Sequence, residues 1–124
     1  DAYVFADFVT YPSFWEGWGN QLLEALKAKL PILIYEYLVY EQDIKPRGFD
    51  LVSLGNRISG KDDLGLVQVD QKIVEAAADR AVRLLSDGEY RKAVVEKNYQ
   101  IAREHYSMDA LGTYLNDLMQ QFEE

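Results

Sequence analysis

Residues Tyr11–Leu30 read YPSFWEGWGNQLLEALKAKL, and the order of turn, helix and breaker signals in this stretch decides what fold can surround it. Pro12, Ser13, Gly17 and Gly19 mark a loop. From Asn20 to Leu30 the periodicity predicts a helix, because Leu22, Leu23, Leu26 and Leu30 fall within one arc of roughly 100° on a helical wheel. Ala25 and Ala28 lie on a second, small-residue side. Glu24 sits about 150° from the centre of the leucine arc, so it is not a core position. Pro31 is expected to stop the helix. Upstream, Phe8–Tyr11 (FVTY) is a short apolar and β-branched run halted by Pro12, which reads as a buried strand. Downstream, Ile32–Tyr35 (ILIY) is continuously apolar, as expected of a strand covered on both faces.

The remainder extends this strand–loop–helix–strand unit. Asp1–Asp7 reads as the tail of a helix and Tyr35–Phe49 as irregular, with Pro46 and Gly48 near its end. Asp50–Leu54 is a third short strand, and Gly55–Gly65, with three glycines and alternating charge, is a flexible loop. Beyond it the chain is helical. Asp70 is the candidate N-cap of a helix running to about Leu85. Ser86, Asp87 and Gly88 form a turn, and a second helix spans about Glu89 to Glu104. Ser107 caps a third that runs to about Phe122, with Leu111, Leu115, Leu118 and Phe122 on one stripe. The predicted class is α/β, part of a Rossmann-like parallel sheet followed by C-terminal helices, with residues 1–124 as one unit.

Bulk properties exclude several functions. Apolar content of 48% with 27% charged residues is that of an ordinary globular protein, so a core of modest size is expected. The net charge of −8 argues against nucleic acid or an anionic membrane surface as a direct partner. Without cysteine there is neither a disulfide framework nor thiolate chemistry, and the cytoplasm is the default compartment. The longest apolar stretch, Leu30–Tyr40, is short and carries Glu36, so no membrane insertion is expected. The chain opens DAYVFADF, without a methionine or a basic leader, and is read as a fragment of a longer protein.

The chemistry concentrates in the quoted stretch. A glycine-flanked loop entering a helix exposes backbone N–H groups with no intrahelical partner, and the helix dipole adds partial positive charge there. Together they suit phosphate. Gly17 and Gly19 allow close approach of a ligand. Glu16 and Glu24, at either end, can accept hydrogen bonds from hydroxyl groups. A ligand with a diphosphate in the middle and a sugar at each end, a nucleotide sugar, would use every part. On spacing alone the structural alternative is the commoner one. In it Glu16 answers the helix dipole, Glu24 and Lys27 form an exposed ion pair, and Trp15 and Trp18 are core.

Other motifs fail. Gly55–Lys61 nearly spells a phosphate loop, but Asp62 occupies the position that needs a hydroxyl, and Asp63 adds repulsion. His105 near a helix end is read as a dipole partner. Asp43, Asp62 and Asp63 are solvated loop charges, and no metal-ligand spacing is present.

The run ADFVTYPSFWEGWGNQLLEAL, followed by LPILIY, closely resembles the C-terminal domain of retaining glycosyltransferases of the two-Rossmann-domain (GT-B) fold, family 4 or group 1. That pattern is a strand, Pro-Ser, Glu-Gly-aromatic-Gly, Glu-Ala on the helix and a proline-led strand. Here it is carried by Pro12, Ser13, Glu16, Gly17, Trp18, Gly19, Glu24, Ala25 and Pro31. The segment NYQIAREHYSMDAL resembles the family's closing helices, so the resemblance covers nearly the whole chain. It implies that Glu16 is catalytic and, with Gly17, Trp18 and Gly19, holds the donor sugar. Asn20 and Gln21 would offer amides to the diphosphate, and Glu24 would take the ribose. It implies a nucleotide sugar as substrate, no metal and no cofactor. It also implies that an acceptor-binding N-terminal domain and a basic pair for the diphosphate lie outside this chain, which alone would be inactive. The last helix would pack on that domain or, through its exposed stripe, on a second copy. Lys29 stands where the family often has glycine, which bears on the turn into the next strand. The loop Tyr35–Asp50 resembles only a subset of the family. The alternative is a non-catalytic binding or interaction module with the same fold.

Overall fold

A computed structural model describes residues 2–123. A parallel sheet of order β1 (Val9–Tyr11), β2 (Ile32–Ile34), β3 (Val52–Ser53) lies at its centre. Val9 pairs with Ile32, Tyr11 with Ile34, and Leu33 with Val52. Helix α1 (Asn20–Lys27) connects β1 to β2. After the sheet come a hairpin of β4 (Gly60–Lys61) and β5 (Val67–Gln68), then α2 (Gln71–Ser86), α3 (Gly88–Tyr106) and α4 (Met108–Glu123). This is the expected α/β, Rossmann-like arrangement with trailing helices.

The continuous apolar run of β2 is explained by its neighbours. Ile32 and Ile34 pack on one face with Leu22, Ala25 and Leu26 of α1 and with Tyr37, Tyr40 and Ile44. Leu33 points to the other face, where Val52, Ala77, Leu84 and Val94 join α2 and α3 to the sheet. Burying one such aliphatic side chain contributes about 1.5–3 kcal/mol, so this two-sided strand carries much of the core. Glu24 is exposed, as the wheel requires, while Leu23 is half-buried and Ala28 is exposed.

The edge strand is fastened by polar side chains. Asn98 of α3 is the one buried polar residue among those described. Its Oδ1 accepts from the Asp50 amide at 2.7 Å and its Nδ2 donates to the Asp50 carbonyl at 2.9 Å. Arg80 of α2 donates to the Leu51 carbonyl at 2.6 Å and pairs with the Asp50 carboxylate. A buried amide side chain with both ends satisfied anchors the backbone that leads into β3.

Four sequence expectations are corrected. First, α1 ends at Lys27 rather than Leu30, and Pro31 is not what stops it. Lys29 turns left-handed at φ 55°, its amide donating to Leu26 O at 3.1 Å and that of Leu30 to Ala25 O at 3.2 Å. These two bonds are a Schellman closure, so the lysine at the glycine position keeps the turn. Its ammonium lies 2.8 Å from Glu96 and 4.4 Å from the Tyr99 ring centroid. Second, within Tyr35–Phe49 a π turn, Tyr40–Ile44, leads into a 3₁₀ turn, Lys45–Arg47, because Tyr40 and Ile44 are both drawn into the core. Third, the expected flexible loop Gly55–Gly65 holds β4 of a hairpin whose second strand, β5, lies just past it where helix was expected, and the turn between them is closed by the Asp62 carboxylate accepting from the amides of Leu64 and Leu66 at 3.0 and 2.8 Å. Fourth, in the opening residues only Ala2–Val4 form a helical turn, and it is 3₁₀; Asp1 lies outside the described residues.

The later helices start as their caps require. Asp70 accepts from the Lys72 amide at 2.9 Å, Asp87 from the Tyr90 amide at 3.0 Å, and Ser107 from the Ala110 amide at 3.1 Å. On α4, Leu111 and Leu115 are exposed together with Met108, Tyr114 and Met119. The Phe122 side chain lies outside the described residues.

Lys29→Gly and Lys29→Ala both remove the ammonium contacts and differ only in the cost of the left-handed backbone. Urea unfolding should find the glycine variant more stable than the alanine variant by about 1 kcal/mol. Equal stabilities would contradict a left-handed residue at this position.

Candidate functional site

Strand β1 ends at Tyr11, and residues 12–19 carry the chain over the carboxyl edge of the sheet into α1. Gly19 is the N-cap residue, left-handed at φ 76° and ψ 61°, and no side chain caps this helix. Its carbonyl accepts from the Leu22 amide at 2.9 Å. The first-turn amides, those of Asn20 and Gln21, therefore face outward without a side-chain acceptor. The two glycines of the motif differ. A Cβ at Gly17 would meet nothing within 4 Å, whereas a Cβ at Gly19 would sit 2.3 Å from the Tyr37 hydroxyl. Gly19 is demanded by the fold; Gly17 is not.

Glu16 is half-buried, and its Oε1 accepts from the Ser13 hydroxyl at 2.8 Å. This explains the Pro-Ser locally, since the serine holds the carboxylate back over the loop. Tyr11 and Tyr37 lie beneath it, their rings edge to face at 6.3 Å. Burial, then the hydrogen bond with Glu16 and its charge, push the Tyr11 hydroxyl well above the usual phenol range. Burial, then the same carboxylate, push Tyr37 up to about 12. The Tyr11 hydroxyl also donates to Gln21 Oε1 at 3.5 Å, and that of Tyr3 to the Gln21 carbonyl at 3.5 Å. Tyr3 in turn is raised by burial and then by Glu24. The two glutamates thus lie at the two ends of a polar line, Tyr11–Gln21–Tyr3, across the first turn of α1.

Glu24 lines a cavity of about 320 Å³ with Lys27 of α1, Tyr99, Arg103 and Tyr106 of α3, and Met108. Glu16 does not line it. The Glu24–Lys27 ion pair of the structural alternative does not form among the described residues. Nor are the tryptophans core. Trp15 is 81% exposed, and Trp18 is 45% exposed with its ring edge-on to Tyr106 at 5.2 Å. Tyr106 is fixed by donating to the Asp43 carbonyl at 3.2 Å, which ties the loop to the end of α3.

Sequence reading missed Glu36. It follows β2 at the carboxyl edge of the sheet, where open α/β sheets place their ligands. Its carboxylate accepts from the Ser53 hydroxyl at 2.7 Å and from Lys45 at 2.5 Å, joining β2, β3 and the 3₁₀ turn. That hydrogen bond raises the Lys45 pKa. The signal available was a lone acid directly after a buried apolar strand. The near-match to a phosphate loop is set aside, since Asp62 is consumed in the β4–β5 turn. His105 is half-buried in the last turn of α3, as a dipole partner would be. Among the described residues no group of three His, Cys, Asp or Glu side chains is placed to hold a metal ion. No helix among them is long and apolar enough to cross a membrane.

Two curated proteins are similar to this chain. Mannosylglucosylglycerate synthase of Thermotoga maritima is 46% identical over 114 residues, which is 92% of this chain and 26% of that protein. Mannosylglucosylglycerate synthase of Petrotoga mobilis is 46% identical over 87 residues, 70% of this chain and 20% of that protein. The chain therefore spans about a quarter or less of the length of the relatives it matches. No protein-family model and no solved structure matches it. The resemblance of this chain to a glycosyltransferase domain stands on these two relatives.

The tyrosines under Glu16 give a pH signature. A raised phenol pKa means that the folded state keeps a proton which the unfolded chain loses at the ordinary 10.0. The stability Tyr37 contributes this way is complete below pH 10 and is lost as pH rises through about 12. Urea unfolding across this window should show a falling stability whose slope is shallower in Tyr37→Phe. An unchanged slope would contradict a buried, protonated Tyr37.

Proposed function

We propose that this chain is the nucleotide-sugar-binding part of a retaining glycosyltransferase of the GT-B kind. The observation that carries the reading is the uncapped first turn of α1, entered through left-handed Gly19 and placed between Glu16 and Glu24. In this reading the outward amides of Asn20 and Gln21 receive the diphosphate, helped by the helix dipole. Glu24, exposed at the rim of the α1–α3 cavity, accepts from the ribose hydroxyls. Glu16 and the backbone of Gly17, Trp18 and Gly19 hold the donor sugar, with Glu16 facing the reacting centre. The departing diphosphate is stabilised by fixed N–H dipoles, and no metal or cofactor takes part.

The relatives' name denotes a mannosyl unit on glucosylglycerate. Brought to this chain, it makes a nucleotide-diphosphate mannose the first donor to try and glucosylglycerate the first acceptor. The acceptor is held by a further domain beyond this chain, and the exposed leucines and methionines of α4 fit packing on that domain or on a second copy. A cytoplasmic setting suits a soluble nucleotide sugar.

Calorimetry on the natural full-length protein carrying this chain, with GDP, UDP and their mannose conjugates, tests the reading. One nucleotide sugar should bind, and Glu24→Ala should weaken it by about tenfold, the loss of one or two hydrogen bonds to a charged group. Gly17→Ala should leave the melting temperature unchanged, since its Cβ meets nothing, yet weaken the donor. No binding of any nucleotide, or binding indifferent to Glu24, would overturn the assignment.

A further inference from the structure

The segment after β2, which resembles only a subset of glycosyltransferases, sends one side chain under the donor loop. Tyr37 is 2% exposed, and its hydroxyl donates to the Trp18 carbonyl at 3.3 Å. The same oxygen occupies the space into which a side chain at residue 19 would project, 2.3 Å from an added Cβ. The Tyr37 ring is held from both sides, by Tyr11 at 6.3 Å and by Tyr40 at 6.0 Å. Tyr40 belongs to the π turn, whose Ile44 is fully buried, so the hydroxyl is delivered by a part of the core that cannot slide. The carbonyl it holds is that of the peptide joining Trp18 to Gly19. Fixing that plane fixes the left-handed entry into α1, and with it the direction of the first-turn amides.

We infer that Tyr37 is a positioning residue for donor binding: its hydroxyl locks the Trp18–Gly19 peptide so that the amides of Asn20 and Gln21 stay aimed at the ligand's phosphates. This rests on the donor-site reading above. It also gives the segment Tyr35–Phe49 a role, since a helical turn seated on the core presents the lock. The geometry requires a pair, glycine at 19 and a hydroxyl at 37. A larger residue at 19 and the tyrosine cannot coexist without movement of one of them.

The test is a double-mutant cycle on the natural full-length protein, with the donor that calorimetry identifies, read as separate KM values for donor and acceptor. Tyr37→Phe keeps the ring and removes the lock. It should raise the donor KM about fivefold and leave the acceptor KM unchanged, a split that general loosening of the fold would not make. Hydrogen exchange at the amides of residues 19–21 should accelerate in the same variant without ligand. Gly19→Ala reaches the contact from the other side, and its effect on the donor KM should be smaller in the Tyr37→Phe background than alone. If Tyr37→Phe folds poorly, Gly19→Ala with Tyr37 in place still decides the matter: its donor KM and the exchange rates of residues 19–21 should both rise with the acceptor KM unchanged, and neither rising would overturn the lock. An unchanged donor KM and unchanged exchange in Tyr37→Phe, with Glu24→Ala still weakening the donor, would overturn the lock and leave the donor site standing. Indifference to Glu24→Ala as well would bring down the donor site itself. Additive effects of the two substitutions would show that Tyr37 and Gly19 act separately, against the proposal.

Discussion

One steric constraint organises the loop and first helix of this molecule: residue 19 is left-handed and has the Tyr37 hydroxyl where its side chain would be. Only glycine meets both conditions at once. From that point the chain leaves the loop and becomes α1, whose Leu22, Ala25 and Leu26 then reach Ile32 and Ile34. The loop before it is restrained by short-range contacts, with Ser13 on Glu16 and Trp18 on Tyr106. The backbone turn and helix start are thereby held by the buried Tyr37, and the carboxylate by the loop's own Ser13.

The sheet is held the same way, by core-anchored polar groups at both ends of its strands. Glu36 collects Ser53 and Lys45 at the ends of β2 and β3. Asn98 and Arg80 fasten the start of β3 to α3 and α2. Every strand of the three-stranded sheet is short, and few ladder bonds are available, so these side chains supply the register that longer strands would supply through pairing. The edge where β1 and β2 end is the place where an α/β sheet presents ligands, and the rigid packing beneath it suits a site whose geometry must not drift.

The parts legible in the sequence are those where one local signal dominates. Leucine periodicity placed α1 and excluded Glu24 from the core, and Asp70 and Ser107 marked their helix starts correctly. The Pro-Ser and glycine pattern located the loop. What escaped was set by tertiary contact. Lys29 adopts a conformation its own chemistry disfavours because Ala25 and Leu26 need their carbonyls closed, so Pro31 was credited with a stop made earlier. The π turn exists because Tyr40 and Ile44 are both pulled inward, and no local pattern encodes it. The β4–β5 hairpin has exposed residues on both faces, hence no alternation to read. Residue type alone favours a core position for Trp15 and Trp18, yet the loop carries both to the surface. Of the candidate site, the residues at each end were readable from the motif. Tyr37 and Glu36 were not, since their relevance depends on where a distant segment folds back.

Hydrogen exchange by mass spectrometry on the natural full-length protein, with and without a saturating nucleotide sugar, tests whether the loop and first turn of α1 hold the donor. New protection should concentrate in residues 12–24, the loop and the first turns of α1, with α2 and the β4–β5 hairpin unchanged. A nucleotide sugar that binds tightly while leaving this stretch unprotected would contradict it.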